Sequence, residues 1–186
     1  MRMIRLILAT LLVIGPMAGN AALIDFNLDW SGRSFGNNAV ATGNIVIDDT
    51  LLNNPGFTGG TAWVNAFSIT ISGASAGNGT FGLSDFGNII FSTNVALDLT
   101  RELVGQPSGS GTWGTTAGCC GDFNIFSNNI NNAAPHGTLH FRITTDGRRG
   151  DSLLLTSFRP VPEPGALALL GLGLAGLGLA RRRKKI

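Results

Sequence analysis

"ALIDFNLDW" (residues 22–30) and "WVNAFSITIS" (63–72) decide the fold. In the first, Ile24, Phe26, Leu28 and Trp30 alternate with Asp25, Asn27 and Asp29. In the second, Trp63, Phe67, Ile69 and Ile71 stand against Val64, Ala66, Ser68 and Thr70. Successive side chains of an extended chain point to opposite faces, so a period of two buries one face and wets the other. Further runs of this kind cover 39–48, 79–83, 88–92, 95–104, 122–126, 138–145 and 152–159, separated by turn-forming stretches such as "NNPGFTGG", "GASAGNG" and "TDGRRGD". About nine short strands without helical spacing predict an all-β domain, two antiparallel sheets packed as a β-sandwich or jelly roll. The segment 105–121, "GQPSGSGTWGTTAGCCG", is expected to be a long loop.

The two ends read differently. Arg2 and Arg5 precede an apolar run from Leu6 to Ile14, then Gly15, Pro16 and the small residues of "MAGNAA". This is the layout of a secretory signal peptide over 1–21, with Gly19 and Ala21 at the positions a signal peptidase reads. The formal charge of +2 also comes from the ends, which hold seven of the thirteen cations and one of the eleven carboxylates. Residues 22–160, the expected β-domain, hold six arginines, no lysine and ten carboxylates, a net −4. Phosphate contacts need clustered cations, so a nucleic-acid partner is excluded.

The last segment, 161–186, is "VPEPGALALLGLGLAGLGLARRRKKI". Gly165 to Ala180 offer no charged or hydrogen-bonding side chain, and with Val161 to Pro164 the run is long enough for a transmembrane helix. Arg181, Arg182, Arg183, Lys184 and Lys185 form a basic stop-transfer cluster that holds the C-terminus on the cytoplasmic side. Pro162 and Pro164 keep their surroundings extended, the form in which proteases bind substrates, with Glu163 between them at the membrane edge.

These three parts in this order resemble the PEP-CTERM sorting signal of exported Gram-negative bacterial proteins, with Pro162, Glu163 and Pro164 as the sorting motif. The resemblance covers roughly the last 26 residues. It implies recognition by an exosortase, a membrane cysteine protease-transpeptidase, and removal of the tail. It further implies release or attachment at the cell surface, often in bacteria that make exopolysaccharide. The expected partners are therefore signal peptidase and the secretion machinery, the inner membrane in transit, the exosortase-like protease and exopolysaccharide. The expected location is the inner membrane transiently, then the cell surface or medium.

Candidate chemistry within 22–160 is sparse. "GRSFG" (32–36) and "GASAG" (73–77) match the G-x-S-x-G elbow around Ser34 and Ser75, but neither is followed by the helix that exposes such a nucleophile. His136 and His140, four apart, would share one side of a strand as two metal ligands do; Pro135 and Gly137 instead place His136 in a surface loop. Asp48 and Asp49, with Asn53 and Asn54, read as a calcium candidate or a solvated turn. "RGD" at 149–151 reads as a tight turn. Adjacent Cys119 and Cys120 admit a vicinal disulfide that stiffens the 105–121 loop, bridges to another chain, or a reduced pair. No metal or cofactor is expected.

Two function classes follow. One is a structural or polysaccharide-associated binding protein of the cell surface or extracellular matrix, with Trp113 in the Gly-rich loop as the candidate glycan contact. The other is a secreted hydrolase, glycosidase-like, which needs two facing carboxylates. The first, without enzymatic activity, is the expectation.

Overall fold

The computed structural model describes residues 23–115, 119–129, 131 and 133–162. The expected signal peptide, and the expected spanning helix with its basic cluster from residue 163 on, lie outside the described residues. Among the described residues no helix is long and apolar enough to cross a membrane.

Among the described residues twelve strands run β1 (Leu23–Ser31), β2 (Val40–Asp48), β3 (Gly56–Thr58), β4 (Val64–Ser72), β5 (Gly79–Gly82), β6 (Phe86–Thr93), β7 (Pro107–Ser108), β8 (Gly111–Thr112), β9 (Asp122–Ser127), β10 (His136–Leu139), β11 (Arg142–Thr144) and β12 (Ser152–Pro160). Three single 3-10 turns, Arg33–Phe35, Asp49–Leu51 and Leu83–Asp85, join them. Ten strands form one sheet in the order β3-β6-β9-β10-β11-β12-β1-β2-β4-β5, with every strand pair antiparallel; β7 and β8 form a separate small hairpin.

The all-β, antiparallel expectation therefore holds, and the two-sheet arrangement is corrected to a single sheet curled into a half-barrel. The curl closes one face on itself, so the two halves meet as sandwich sheets would. Trp30 of β1 lies 6.4 Å from Phe123 of β9, ring centre to ring centre, and Phe67 of β4 lies 5.2 Å from Phe86 of β6, edge to face. Indole Nε1 of Trp63 donates to the carbonyl of Ile89 at 3.2 Å, tying the start of β4 to β6. A sheet that buries one face over ten strands needs just such curvature to keep water from the apolar side.

The period-two reading is reproduced in β1, where Phe26, Leu28 and Trp30 are buried, and in β4, where Phe67, Ile69 and Ile71 are. Val64, assigned to the wet face, is buried as well. A bulge causes this: Ile47 pairs with Val64 while Val46 pairs with Ala66, so the extra residue, Asn65, shifts the alternation by one.

Two expectations along the chain are corrected. Residues 95–104 are not a strand, although Leu97, Leu99 and Leu103 alternate with polar positions. Side chains there take over the backbone groups that a neighbouring strand would have paired. Asp98 Oδ1 accepts from the amide and hydroxyl of Thr100 (3.0 and 2.6 Å). Gln106 accepts from Asp98 N at 2.8 Å and donates to the carbonyls of Asp98 and Glu102. Residues 138–145 are likewise broken, by a turn at Phe141 with φ 58°. A bulky residue in the left-handed region is costly. It is held there by a hydrogen bond from its backbone N–H to the Asp122 carboxylate (2.7 Å) and by its ring against Trp113, 4.9 Å away.

Candidate functional site

The functional signal lies where the last strand leaves the domain. β12 is pinned along its final residues from both sides. On one side it pairs with β1, Phe158 opposite Leu28 and Pro160 opposite Phe26, and the Val161 amide donates to the Asp25 carbonyl at 2.8 Å. On the other, Leu103 N donates to the Phe158 carbonyl at 2.9 Å. Glu102 accepts from Ser157 Oγ and from Phe158 N, each at 2.6 Å. Arg159 reaches Asp29 at 3.0 Å and Glu102 at 3.6 Å, half-exposed contacts of small energetic weight. Beneath this, Asn44 Nδ2 bonds the Asp25 carboxylate and the Phe26 carbonyl.

The described residues thus run to the first proline of the motif. Val161 is half-buried in the sheet's register, and Pro162 is exposed just beyond it. Beside them opens a cleft of about 420 Å³, lined by Ile24, Leu99, Thr100, Pro160, Val161 and Pro162. Glu163, Pro164 and Arg181 to Lys185 lie outside the described residues. The clamp residues Asp25, Glu102 and Arg159 carried no signal in the sequence, because their partners are far away along the chain.

Trp113 is corrected as a glycan contact. It has no exposed surface and sits at the centre of an aromatic cluster with Phe91, Phe141 and Phe158, at 5.4, 4.9 and 5.7 Å. Its indole N–H donates to the Ser92 carbonyl at 2.9 Å. The β7–β8 hairpin folds the loop back, with Trp113 N donating to the Gln106 carbonyl and Trp113 O accepting from Gly105 N, so the indole turns inward. Cys119 and Cys120 form a disulfide with each other; Cys120 is buried and Cys119 exposed. The Asn94 side chain donates to the Cys119 carbonyl at 2.8 Å, which ties the bridge to the end of β6.

The remaining candidates do not converge. Ser34 lies in a 3-10 turn, and Ser75 lies in a loop where its amide donates to Asp151 Oδ2 at 2.6 Å. That same contact engages the acid of the 149–151 tripeptide, whose backbone is tied to Thr145 in a turn. His136 starts β10 and is buried, contrary to the surface loop expected, while His140 is exposed at the turn beyond the β10 bulge. The two therefore face different surroundings. Asp48 accepts from the amide and hydroxyl of Thr50, and Asn53 and Asn54 bond the backbones of Phe57 and Leu97, so this group shapes a loop. Among the described residues no cluster of three or more His, Cys, Asp or Glu is placed to hold a metal ion.

One pairing escaped the sequence. Ser127 Oγ lies 3.0 Å from His136 Nδ1, both buried. The ring stands edge-on to Phe126 and is held below the usual histidine range first by burial and then by the nearby Arg148 charge. The positive charge of Arg148 acts on the ring in the opposite sense to the carboxylate that orients a catalytic histidine, and the pair sits within the core. It is a hydrogen bond between two buried core groups.

Comparison with known proteins is in keeping with this distribution. The PEP-CTERM protein-sorting motif matches residues 160–184, beginning at the last residue of β12. No curated protein and no solved structure matches the chain. The chain thus carries a PEP-CTERM sorting motif at residues 160–184, the mark of an exported protein targeted to an exosortase.

Proposed function

We propose that the half-barrel is a non-enzymatic structural module of the cell surface or extracellular matrix, associated with polysaccharide and delivered there by exosortase processing of its C-terminal segment. The observation that carries the delivery is the direct passage from β12 into the motif at Pro160. Support for a polysaccharide partner comes from the outward face of β1, β2 and β4, with β5 continuing it at the edge. There Asn27, Thr42, Ser68, Thr70 and Ser72 are exposed, and Thr70 and Thr80 hydroxyls lie 2.9 Å apart. Asp25 and Asp29 share this face on β1, and the amides and hydroxyls around them both donate and accept, which suits a polyhydroxylated polymer.

In this reading, a signal peptide carries the domain across the inner membrane, the apolar run from Gly165 to Ala180 holds it there, and the basic cluster stops transfer. Glu163→Ala leaves the run and the cations intact, so insertion persists and processing falls. Deleting Arg181 to Lys185 removes the stop, so orientation is lost before processing. Fractionation of cells carrying each variant, tagged after Ala22, separates the two outcomes. Wild-type chain that stays full length in the inner membrane of a host with an active exosortase sinks the delivery reading. For the polysaccharide role, the exported mature chain is applied to a glycan array. Binding that survives Thr42→Glu with Thr70→Glu would show that this face is not the contact.

A further inference from the structure

The strands place one end of the half-barrel at the exit toward the sorting segment. Leu23 pairs with Asp48, Ile47 with Val64 and Phe26 with Pro160, so β1 and β4 begin where β2 and β12 end. The bond from Trp63 to Ile89 and those between Asn54 and Leu97 bring the end of β6 and the loop after it to the same pole.

Large exposed apolar side chains concentrate at this pole. Of the five large hydrophobic side chains exposed among the described residues, four belong to it: Leu23 (57%), Leu51 (52%), Phe57 (61%) and Val95 (42%). Phe57 lies on the edge strand β3, opposite Ser92 near the end of β6. The fifth, Val40, starts β2 at the opposite end. The cleft walled by Ile24, Leu99 and Val161 continues the apolar surface to the exit point.

We propose that this pole is a membrane-contact surface, seated at the lipid headgroup boundary while the precursor is still anchored. The inference rests on the reading that Gly165 to Ala180 inserts in the bilayer. Val161 is bonded into the sheet, and the uncharged run starts after only Glu163 and Pro164. Two residues reach about 7 Å when extended, comparable to the headgroup layer itself. No spacer lets the domain stand away from the surface. The side chains nearest the exit therefore meet the interface, and aliphatic and aromatic groups gain there by leaving water.

The charges at the pole determine the lipid. Asp48 and Asp98 cap Thr50 and Thr100, Asp49 lies between the first pair, and Arg101 pairs with Asp98 at 3.3 Å; around the exit itself Asp25 and Glu102 stand with Arg159. The balance is acidic, so the contact is driven by apolar burial and is weakened by anionic headgroups.

The test uses the full chain reconstituted in phosphatidylcholine vesicles, with single cysteines carrying an environment-sensitive fluorophore. The native cysteines are closed as a disulfide, so unreduced protein takes the label at the introduced thiol alone. Leu51→Cys, Phe57→Cys and Val95→Cys probe the pole, Val40→Cys the far end, and Leu172→Cys the middle of the apolar run. Blue-shifted, lipid-quenchable emission at 51, 57, 95 and 172, with 40 remaining aqueous, is the expected result. It should weaken at the pole when phosphatidylglycerol is added. If 172 reports lipid while 51, 57 and 95 match 40, the pole does not touch the membrane and the inference is overturned, with the anchoring reading left standing. An aqueous signal at 172 overturns both. A stronger pole signal on adding phosphatidylglycerol would mean a cationic contact and also sinks the proposal.

Discussion

Replacing Trp113 separates a core residue from a sugar platform. The indole is wholly buried, meets three aromatic rings and donates to the Ser92 carbonyl. Trp113→Ala removes that volume, a change that costs about 3–5 kcal/mol in well-packed cores. It also leaves the Ser92 carbonyl without its donor, adding about 1 kcal/mol. Against a total stability on the order of 5–15 kcal/mol this is a large share. Trp113→Phe keeps a ring in the cluster and loses the donor and part of the volume, for about 1–2 kcal/mol. The assay is urea unfolding of residues 22–162 followed by far-UV circular dichroism. With a slope of about 1.5 kcal/mol/M, the midpoint should fall by about 1 M for the phenylalanine variant and by more than 2 M for alanine. An alanine variant whose midpoint stays within about 0.3 M of wild type would refute the inward placement of the indole and restore it as a surface contact.

Gly121→Ala acts on the same cluster from the backbone. Gly121 has φ 112°, and an added Cβ would lie 2.2 Å from the Ser92 carbonyl oxygen and 2.8 Å from Trp113 Cδ1, so a loss above about 2 kcal/mol is expected in the same urea assay. Glu102→Ala unpins the 94–106 loop from β12 by leaving Ser157 Oγ and Phe158 N without their carboxylate. A loss of about 1 kcal/mol is expected, discounted for partial exposure, with faster amide exchange at Phe158; unchanged exchange there would contradict the clamp. His136 has its folded-state pKa lowered from 6.5 by burial and Arg148. The unfolded chain then takes up the proton first, so stability is full above about pH 6.5 and is lost as pH falls through 6.5 toward the lower folded value. Midpoints measured at neutral pH and near pH 5 should show this fall, and His136→Gln should flatten it. The lowered Asp98 acts in a separate window, below its ordinary value of 3.8, where protonation releases the Thr100 cap.

Local chemistry alone determines much of this chain. Alternation in β1 and in β4 beyond its bulge is set by the extended backbone, so Phe26, Leu28, Trp30, Phe67, Ile69 and Ile71 could be assigned to the core, whereas Val64 at the bulge could not. The sorting motif is linear and is read as a linear segment, which is why Pro162 to Pro164 and the cations after them stood out. What depended on partners distant in sequence was decided only by the tertiary structure. One curled sheet and two stacked sheets call for the same strands; the pairing of β11 with β12, and of β12 with β1, joins them into one. Trp113 sits among glycines, which signals a loop, yet Phe91, Phe141 and Phe158 draw it inward from three separate strands and turns. The same holds for 95–104, where alternating leucines met no neighbouring strand and Gln106 and Asp98 closed the backbone instead. That the chain enters and leaves at one apolar pole was settled by the register of Phe26 with Pro160, because which residues of two distant strands lie opposite each other is fixed by packing across the whole sheet.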